Sequence, residues 1–417
     1  MIFIKRFIQG HKILQLYIYW DCKIIFTIPF IFAVRSDIEL KRLMCIILVM
    51  LLLLSMNVYA KDMESLTGKS LILASDDGTI LYEKNADEKL APASVTKIMT
   101  ALLVMEAIHN GKIKTEDIVT VSENAANKTG SHIFLAPGEK MSVNDLMKGL
   151  MVASGNDAAI ALAEYVSGSE QAFVEEMNRK AKSLGMINTN YENCNGLDLP
   201  DHYSSARDIM IVTKELLKHP DIFNYSTIWM DTLRDGAFGL ANTNKLIRFY
   251  EGANGMKTGS TSVAGYCLSA TAKRNDIQLI AVVLNAPTSK DRFSDASTLL
   301  NYGFNTYEKV NACKENAVHS YMTVKKGITD NVKVVFEKNF NIMVKKGDGK
   351  NISYKTSNLP DELMAPVNKG EKVGIAEIYN GDKKIGSVNL IASEYVGKIT
   401  LWQTFSQMYN KFSDYIV

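Results

Sequence analysis

The chain has 417 residues, 47% of them hydrophobic and 22% charged, with only 8 Pro. That length leaves room for two or three domains with a large core, and the composition excludes collagen-like, disordered and multi-span membrane proteins. A formal net charge of +2 gives no basic excess of the kind a nucleic-acid partner requires.

The first sixty residues differ from the rest. Lys41 and Arg42 precede an apolar run from Leu43 to Leu54, and Val58-Tyr59-Ala60 leads into a polar Lys61-Asp62. A basic flank, a short apolar stretch and a small terminal residue describe a secretory signal peptide, and the run is short for a membrane span. Upstream lies a second apolar stretch, Ile24 to Val34, broken by Pro29; signal peptides rarely carry such an extension, so the start is expected just before Lys41. Removing residues 1–60 leaves 40 basic against 42 acidic residues and three of the five cysteines, Cys194, Cys267 and Cys313. These thiols form neither a disulfide framework nor a metal-ligand spacing, so no metal and no cofactor is expected. An exported chain that ignores disulfides points to a bacterial envelope.

Leu71–Leu73, Asp76-Asp77-Gly78 and Ile80–Tyr82 read as a hairpin. From Ser94 to Ile108 the chain is apolar nearly all round before Asn110-Gly111, which marks a buried central helix. Residues 112–190 read as helical with loops. Ser142 caps one helix, 158–166 forms another, and a third starts at Ser204-Ser205 and runs to Leu217. Strands follow at Tyr266–Ala272 and Ile277–Leu284, then a helix over 291–304. Beyond about residue 312, Val332, Val334 and Phe336 alternate, and Gly374–Tyr379 and Ile385–Ile391 flank an Asn380-Gly381 turn, the pattern of a small all-β module. In the tail, Leu401, Trp402, Phe405, Met408, Tyr409 and Phe412 recur at helical spacing. Such a helix either lies on a membrane surface or docks on the protein itself.

Ser94-Val95-Thr96-Lys97 opens the central helix. Positions i and i+3 share a helix face, so the Lys97 amine meets the Ser94 hydroxyl. A serine needs a base to become a nucleophile, and a lysine serves once burial leaves it neutral. Alone the pattern is weak, but Ser154-Gly155-Asn156 and Lys257-Thr258-Gly259 follow. Together they supply a nucleophile with its base, a hydroxyl and amide to relay a proton and hold a substrate amide, and a cation with a hydroxyl to grip a carboxylate. Ser122-Glu123-Asn124 and Lys128-Thr129-Gly130 mimic the second and third motifs. They lie too close together to form opposite walls of a cleft, and no apolar hairpin follows them, so they are set aside.

The three motifs resemble those of penicillin-binding proteins and serine β-lactamases. Over roughly residues 66–395 the chain looks like the D-alanyl-D-alanine carboxypeptidases, through Ala91–Thr100, Ser154–Ala159, Asn195-Gly196-Leu197, Ala206-Arg207-Asp208, Asn242-Thr243-Asn244 and Gly255–Gly259. The resemblance implies an α/β (α+β) fold with an antiparallel sheet flanked by helices. Its implied divisions are a leader over 1–60, a catalytic domain over 61–310, a β-rich domain over 311–395 and a membrane-associating amphipathic helix over 396–417. It implies Ser94 as the acylated nucleophile, Lys97 as base and Ser154 as proton relay. Asn156 would orient the substrate amide, Lys257, Thr258 and Gly259 would line the carboxylate site, and the Ser94 and Ser260 N–H groups would form the oxyanion hole. Arg292 would be a second carboxylate-supporting cation, as against a solvated arginine at a helix start. The implied partners are peptidoglycan stem peptides ending in D-Ala-D-Ala, β-lactams as covalent inhibitors and a membrane surface, with no nucleic acid.

Ser260 departs from the aromatic or His that commonly follows K-T-G in this family, which bears on substrate preference more than on reaction type. His132 and His202 match no catalytic position, and no G-x-S-x-G elbow is present. A β-lactamase would need a carboxylate-held water; Glu192 lacks an Asn four residues on, where Gly196 stands. An endopeptidase or transpeptidase would use the same acyl-enzyme, and a non-catalytic wall-binding scaffold would have no need of an intact motif set.

Overall fold

A computed structural model describes residues 63–406 and, for the backbone alone, strands within residues 4–31. The chain divides into two units, Met1–Lys61 and Asp62–Val417. In the first, Ile4–Phe7, Ile13–Trp20 and Lys23–Ile31 form an antiparallel sheet in chain order. The expected leader run at 43–54 and the tail beyond residue 406 lie outside the described residues.

The second unit is built on a five-stranded antiparallel sheet. Its strands are β1 (Ser70–Ser75), β2 (Ile80–Lys84), β3 (Ala253–Thr261), β4 (Gly265–Arg274) and β5 (Ile277–Ala286), in spatial order β3-β4-β5-β1-β2. The near-continuous apolar runs of β1 and β5 have a simple cause: both faces are covered. Side chains alternate between faces along a strand. Ile72, Ala74, Ile280 and Val282 join one core with the helices α1 (Lys97–His109) and α5 (Ala206–Leu216). Leu71, Leu73, Leu279 and Ala281 join another with Leu299, Leu300 and Phe304 of α6 (Ser289–Thr306). Every residue of α1 from Lys97 to Met105 is buried, as its all-round apolar sequence requires.

Capping sets the other helices. Ser142, Ser169, Ser205 and Thr288 each accept an N–H three residues on, starting α2 (Val143–Lys148), α4 (Glu170–Ser183), α5 and α6. Between α2 and α3 (Asn156–Ser167) lies a π-helical turn, Gly149–Ala153, which ends at Ser154 in a left-handed conformation (φ 64°). Residues 112–190 are less helical than the sequence reading held, because Ile118–Thr120 pairs with Lys140–Ser142. A second short hairpin joins Met230–Leu233 to Phe238–Ala241.

The β-rich part begins where α6 runs into β6 (Tyr307–Cys313). Seven further strands follow: β7 (Val318–Lys325), β8 (Asn331–Phe336), β9 (Phe340–Lys345), β10 (Ile352–Ser357), β11 (Glu362–Met364), β12 (Lys372–Asn380) and β13 (Lys383–Ala392). They make a six-stranded sheet, β10-β12-β13-β8-β7-β11, and a two-stranded one, β6-β9. Val332, Val334 and Phe336 all face its core, as their alternation predicted. Helix is described over residues 401–406, with Leu401, Trp402 and Phe405 exposed. Among the described residues no helix is long and apolar enough to cross a membrane.

Candidate active site

Three chain segments meet around Ser94. The first is the tight turn Ala93–Thr96 that leads into α1. Ala93 holds a positive φ of 50°, a costly conformation for a residue with a Cβ. Gly196 explains how it is held: a Cβ built there would lie 1.9 Å from the Ala93 carbonyl oxygen. Beneath the turn, Thr96 Oγ1 lies 2.8 Å from His202 Nε2, while His202 Nδ1 accepts the Glu192 N–H at 3.1 Å. An acceptor at Nδ1 puts the proton of the neutral ring on Nε2. Burial lowers the His202 pKa to about 4, so this histidine braces the turn as a neutral ring.

The second segment is the π-turn and the start of α3. Ser154 and Asn156 are both buried there, and Asn156 meets Lys97. Lys97 Nζ lies 2.9 Å from Ser94 Oγ, 2.6 Å from Asn156 Oδ1 and 2.7 Å from the Asn195 carbonyl oxygen. The amine is wholly buried, and that desolvation pulls its pKa down to about 7, against the smaller opposing influence of Cys194 and Asp157. The Asn156 amide is fixed from its other end, where Nδ2 donates to the Thr129 carbonyl oxygen at 2.6 Å. Thus Lys128-Thr129-Gly130, set aside as a motif, packs on the site through its backbone: a Cβ at Gly130 would lie 2.5 Å from Asn156 Nδ2.

The third segment is β3, an edge strand of the sheet. Lys257 and Thr258 are buried; Ser260 is exposed. Lys257 Nζ donates to the Thr258 carbonyl oxygen at 2.9 Å, and its pKa is held well below the lysine norm by burial first, then by Lys97 and Arg292. Thr258 Oγ1 donates to Thr243 Oγ1 at 2.7 Å. Gly259 lets β3 close on the Ser94 turn, since a Cβ there would lie 2.8 Å from the Ser94 nitrogen and 2.9 Å from the Pro92 carbonyl oxygen. Arg292 is buried rather than solvated. Its guanidinium donates to the Gly259 and Cys267 carbonyl oxygens at 2.9 and 3.3 Å, so it pins the end of β3 behind the cleft.

Asn195, Thr129, Thr243 and Gly196 are therefore parts of the site that motif spacing alone does not find; Asn195-Gly196 and Thr243 lie in stretches that carried the resemblance. Glu192 is exposed, and its carboxylate accepts the Asp201 N–H at 2.9 Å, so it is committed away from the Ser94–Lys97 pair. Among the described residues no cluster of His, Cys, Asp or Glu could hold a metal ion. What the segments assemble is a hydroxyl beside an amine poised near neutrality, with further amides and a second buried lysine packed close by. That set can form and resolve an ester on Ser94.

Comparison with known proteins bears on both parts of the unit. A family model described as D-alanyl-D-alanine carboxypeptidase matches residues 57–288, and one described as penicillin-binding protein 5, C-terminal domain, matches residues 307–398. The carboxypeptidase DacF of Bacillus subtilis is 41% identical over 371 residues, 86% of this chain and 95% of the relative. Penicillin-binding protein 5 of Haemophilus influenzae shares the fold at a TM-score of 0.71 and 34% identity, over 80% of this chain and 98% of that one. Penicillin-binding protein D2 of Listeria monocytogenes, solved in a cefotaxime-bound form, matches at a TM-score of 0.53 and 33% identity, over 57% and 98%. A motif set gathered into one cleft and a relative spanned almost end to end lead to one conclusion: the chain belongs to the D-alanyl-D-alanine carboxypeptidase family of serine peptidases.

Proposed function

We propose that Ser94 carries the acyl-enzyme by which this carboxypeptidase removes the last D-alanine from wall stem peptides. The observation that carries the assignment is the buried Lys97 amine, 2.9 Å from Ser94 Oγ and with a pKa near 7. Neutral Lys97 takes the Ser94 proton as Oγ attacks the penultimate D-alanine carbonyl. The Ser94 and Ser260 N–H groups receive the oxyanion. The C–N bond then breaks, and the departing amine takes a proton delivered from Lys97 through the Ser154 hydroxyl. Water hydrolyses the ester with Lys97 again as base. Asn156 orients the substrate amide, and Lys257 and Thr258, on the backbone of Gly259, hold the terminal carboxylate. A bound carboxylate favours the ammonium form of Lys257 and so offsets the burial that opposes it. Arg292 serves that site from behind, through the Gly259 carbonyl.

The leader over 1–60 points to export, with action at the wall outside the cytoplasmic membrane. The catalytic part over 61–310 works beside a β-rich part over 311–395. The aromatic side of 396–417 is assigned to a membrane surface, consistent with Trp402 being 82% exposed. A neighbour is solved in a cefotaxime-bound form, and β-lactams are assigned to this chain as covalent inhibitors. The test is intact-mass analysis of residues 61–417 after incubation with benzylpenicillin, with assay of D-alanine release from a pentapeptide. An adduct and D-alanine release, both lost in Ser94→Ala, are expected. Rapid penicillin turnover without an adduct would instead make the chain a β-lactamase.

A further inference from the structure

Phe134 is a large aromatic residue that is 71% exposed and also held at a positive φ of 57°. Either feature alone is ordinary. Together they are not, because the left-handed region costs a side-chain-bearing residue stability, and exposing a phenyl ring recovers none of it. The fixation is thorough. The buried Asp157 carboxylate accepts the N–H groups of both flanking residues, Ile133 at 3.0 Å and Leu135 at 3.1 Å. Arg234, itself paired with Glu139, donates to the Ile133 and Phe134 carbonyl oxygens at 3.0 and 3.1 Å. Ile133 and Leu135 point into the core, so Phe134 has no way but outward.

The ring belongs to the loop that packs on the site. Asp157, which grips its neighbours, directly follows Asn156, and the same loop gives Asn156 two backbone partners, Thr129 and Ser131. Phe134 is not alone there: His132 and Phe238 lie 5.5 and 5.9 Å from it, centroid to centroid. The cation of this aromatic patch, Arg234, is matched by Glu139, so the patch offers no free cation to an anionic partner. Clustered aromatic rings suit a partner with an apolar face and a polar edge. On the proposed substrate one component has that chemistry, the sugar ring to which the stem peptide is joined. A stem of five residues reaches at most about 17 Å, so the sugar lies within that distance of Ser94 whenever the peptide end is bound there.

We propose that Phe134, with His132 and Phe238, is an aromatic platform on which a sugar ring of the glycan-bearing substrate stacks, making Phe134 a specificity-determining residue. This rests on the peptidase reading above, and the test separates the two. D-alanine release is measured on a free pentapeptide and on the same pentapeptide carrying its disaccharide, for wild type, Phe134→Ala, Phe134→Gly and Phe134→Trp. Wild type is expected to favour the disaccharide substrate several-fold in kcat/KM. Phe134→Ala and Phe134→Gly bring that substrate down to the free-peptide value and leave the free-peptide value and penicillin acylation in place, while Phe134→Trp keeps the preference. Phe134→Gly, which relieves the backbone, raises the melting temperature; a ring present only for packing would lower it. A wild type without preference overturns the platform, as does a Phe134→Ala variant that loses both substrates equally. Wild type inactive on both peptides and inert to penicillin would overturn the peptidase reading instead.

Discussion

Lys97 shows how one side chain is prepared for its task by where it is put. At an ordinary lysine pKa of 10.5, only about three molecules in ten thousand would carry a neutral amine at pH 7. Burial brings the value to about 7, so about half do, a gain on the order of a thousandfold in competent base. The sign of the pH dependence follows. With Lys97 as the proposed base only the neutral form is active, so the acylation rate should rise about tenfold per pH unit below pH 7 and level off above it. Stopped-flow measurement of benzylpenicillin acylation from pH 5 to 9 checks this; a flat profile through pH 7 would exclude Lys97 as the base. Lys97→Arg keeps the charge but cannot deprotonate, and a loss of at least about a thousandfold is expected from it. His202 adds no second limb between pH 5 and 8, since its pKa lies near 4.

At the scale of elements, the cleft depends on how closely three segments approach, and two glycines set that distance. Gly259→Ala places a methyl 2.8 Å from the Ser94 nitrogen and 2.9 Å from the nitrogen of Val95. All the opposing atoms are backbone, so the nucleophile turn must move. A displacement approaching 1 Å costs on the order of a hundredfold in rate, and penicillin acylation of Gly259→Ala should fall by about that factor with the far-ultraviolet dichroism unchanged. Gly196→Ala meets the Ala93 carbonyl at 1.9 Å from a φ of 88°, and chemical unfolding should show it destabilised by about 3 kcal/mol or more. Much of this level is legible in the sequence. The hairpin of β1 and β2, the α1 helix, the Ser142 cap and the strands β4 and β5 follow from period, turn residues and caps. So do the three motifs, whose residue types declare their chemistry. The π-turn before Ser154 is not legible, because an inserted residue leaves the apolar period of α2 and α3 intact on either side. Thr129 and Asn195 act through backbone carbonyls, which no side-chain pattern announces. Lys128-Thr129-Gly130 reads in the sequence as a chance copy of the third motif, yet it abuts Asn156, a proximity that only the folded loop creates.

On the scale of the whole unit, the catalytic part has cores on both faces of its sheet, whereas the β-rich part has one of its own, from Ala312 to Val396. The junction is direct, with α6 passing into β6 at Thr306 and Tyr307. Across it, Tyr307 donates to the Leu81 carbonyl oxygen at 3.3 Å, Lys309 approaches Asp76 at 3.7 Å, and Tyr307 and Met343 pack half-buried on the edge of the catalytic core. A junction of this partly exposed kind couples two cores weakly. Residues 62–417 should therefore unfold by calorimetry in two transitions rather than one. Acylation supplies the label, since an acyl group on Ser94 is held by native contacts from α1, α3 and β3 that the unfolded chain cannot make. If those contacts contribute about 3 kcal/mol, the catalytic transition should rise by roughly 6–12 °C for a domain of this size. The β-rich transition should stay where it is, and Ser94→Ala should abolish the shift. A single transition that moves as a whole on acylation would mean that the two cores fold as one cooperative unit, coupled through the packing of Tyr307 and Met343.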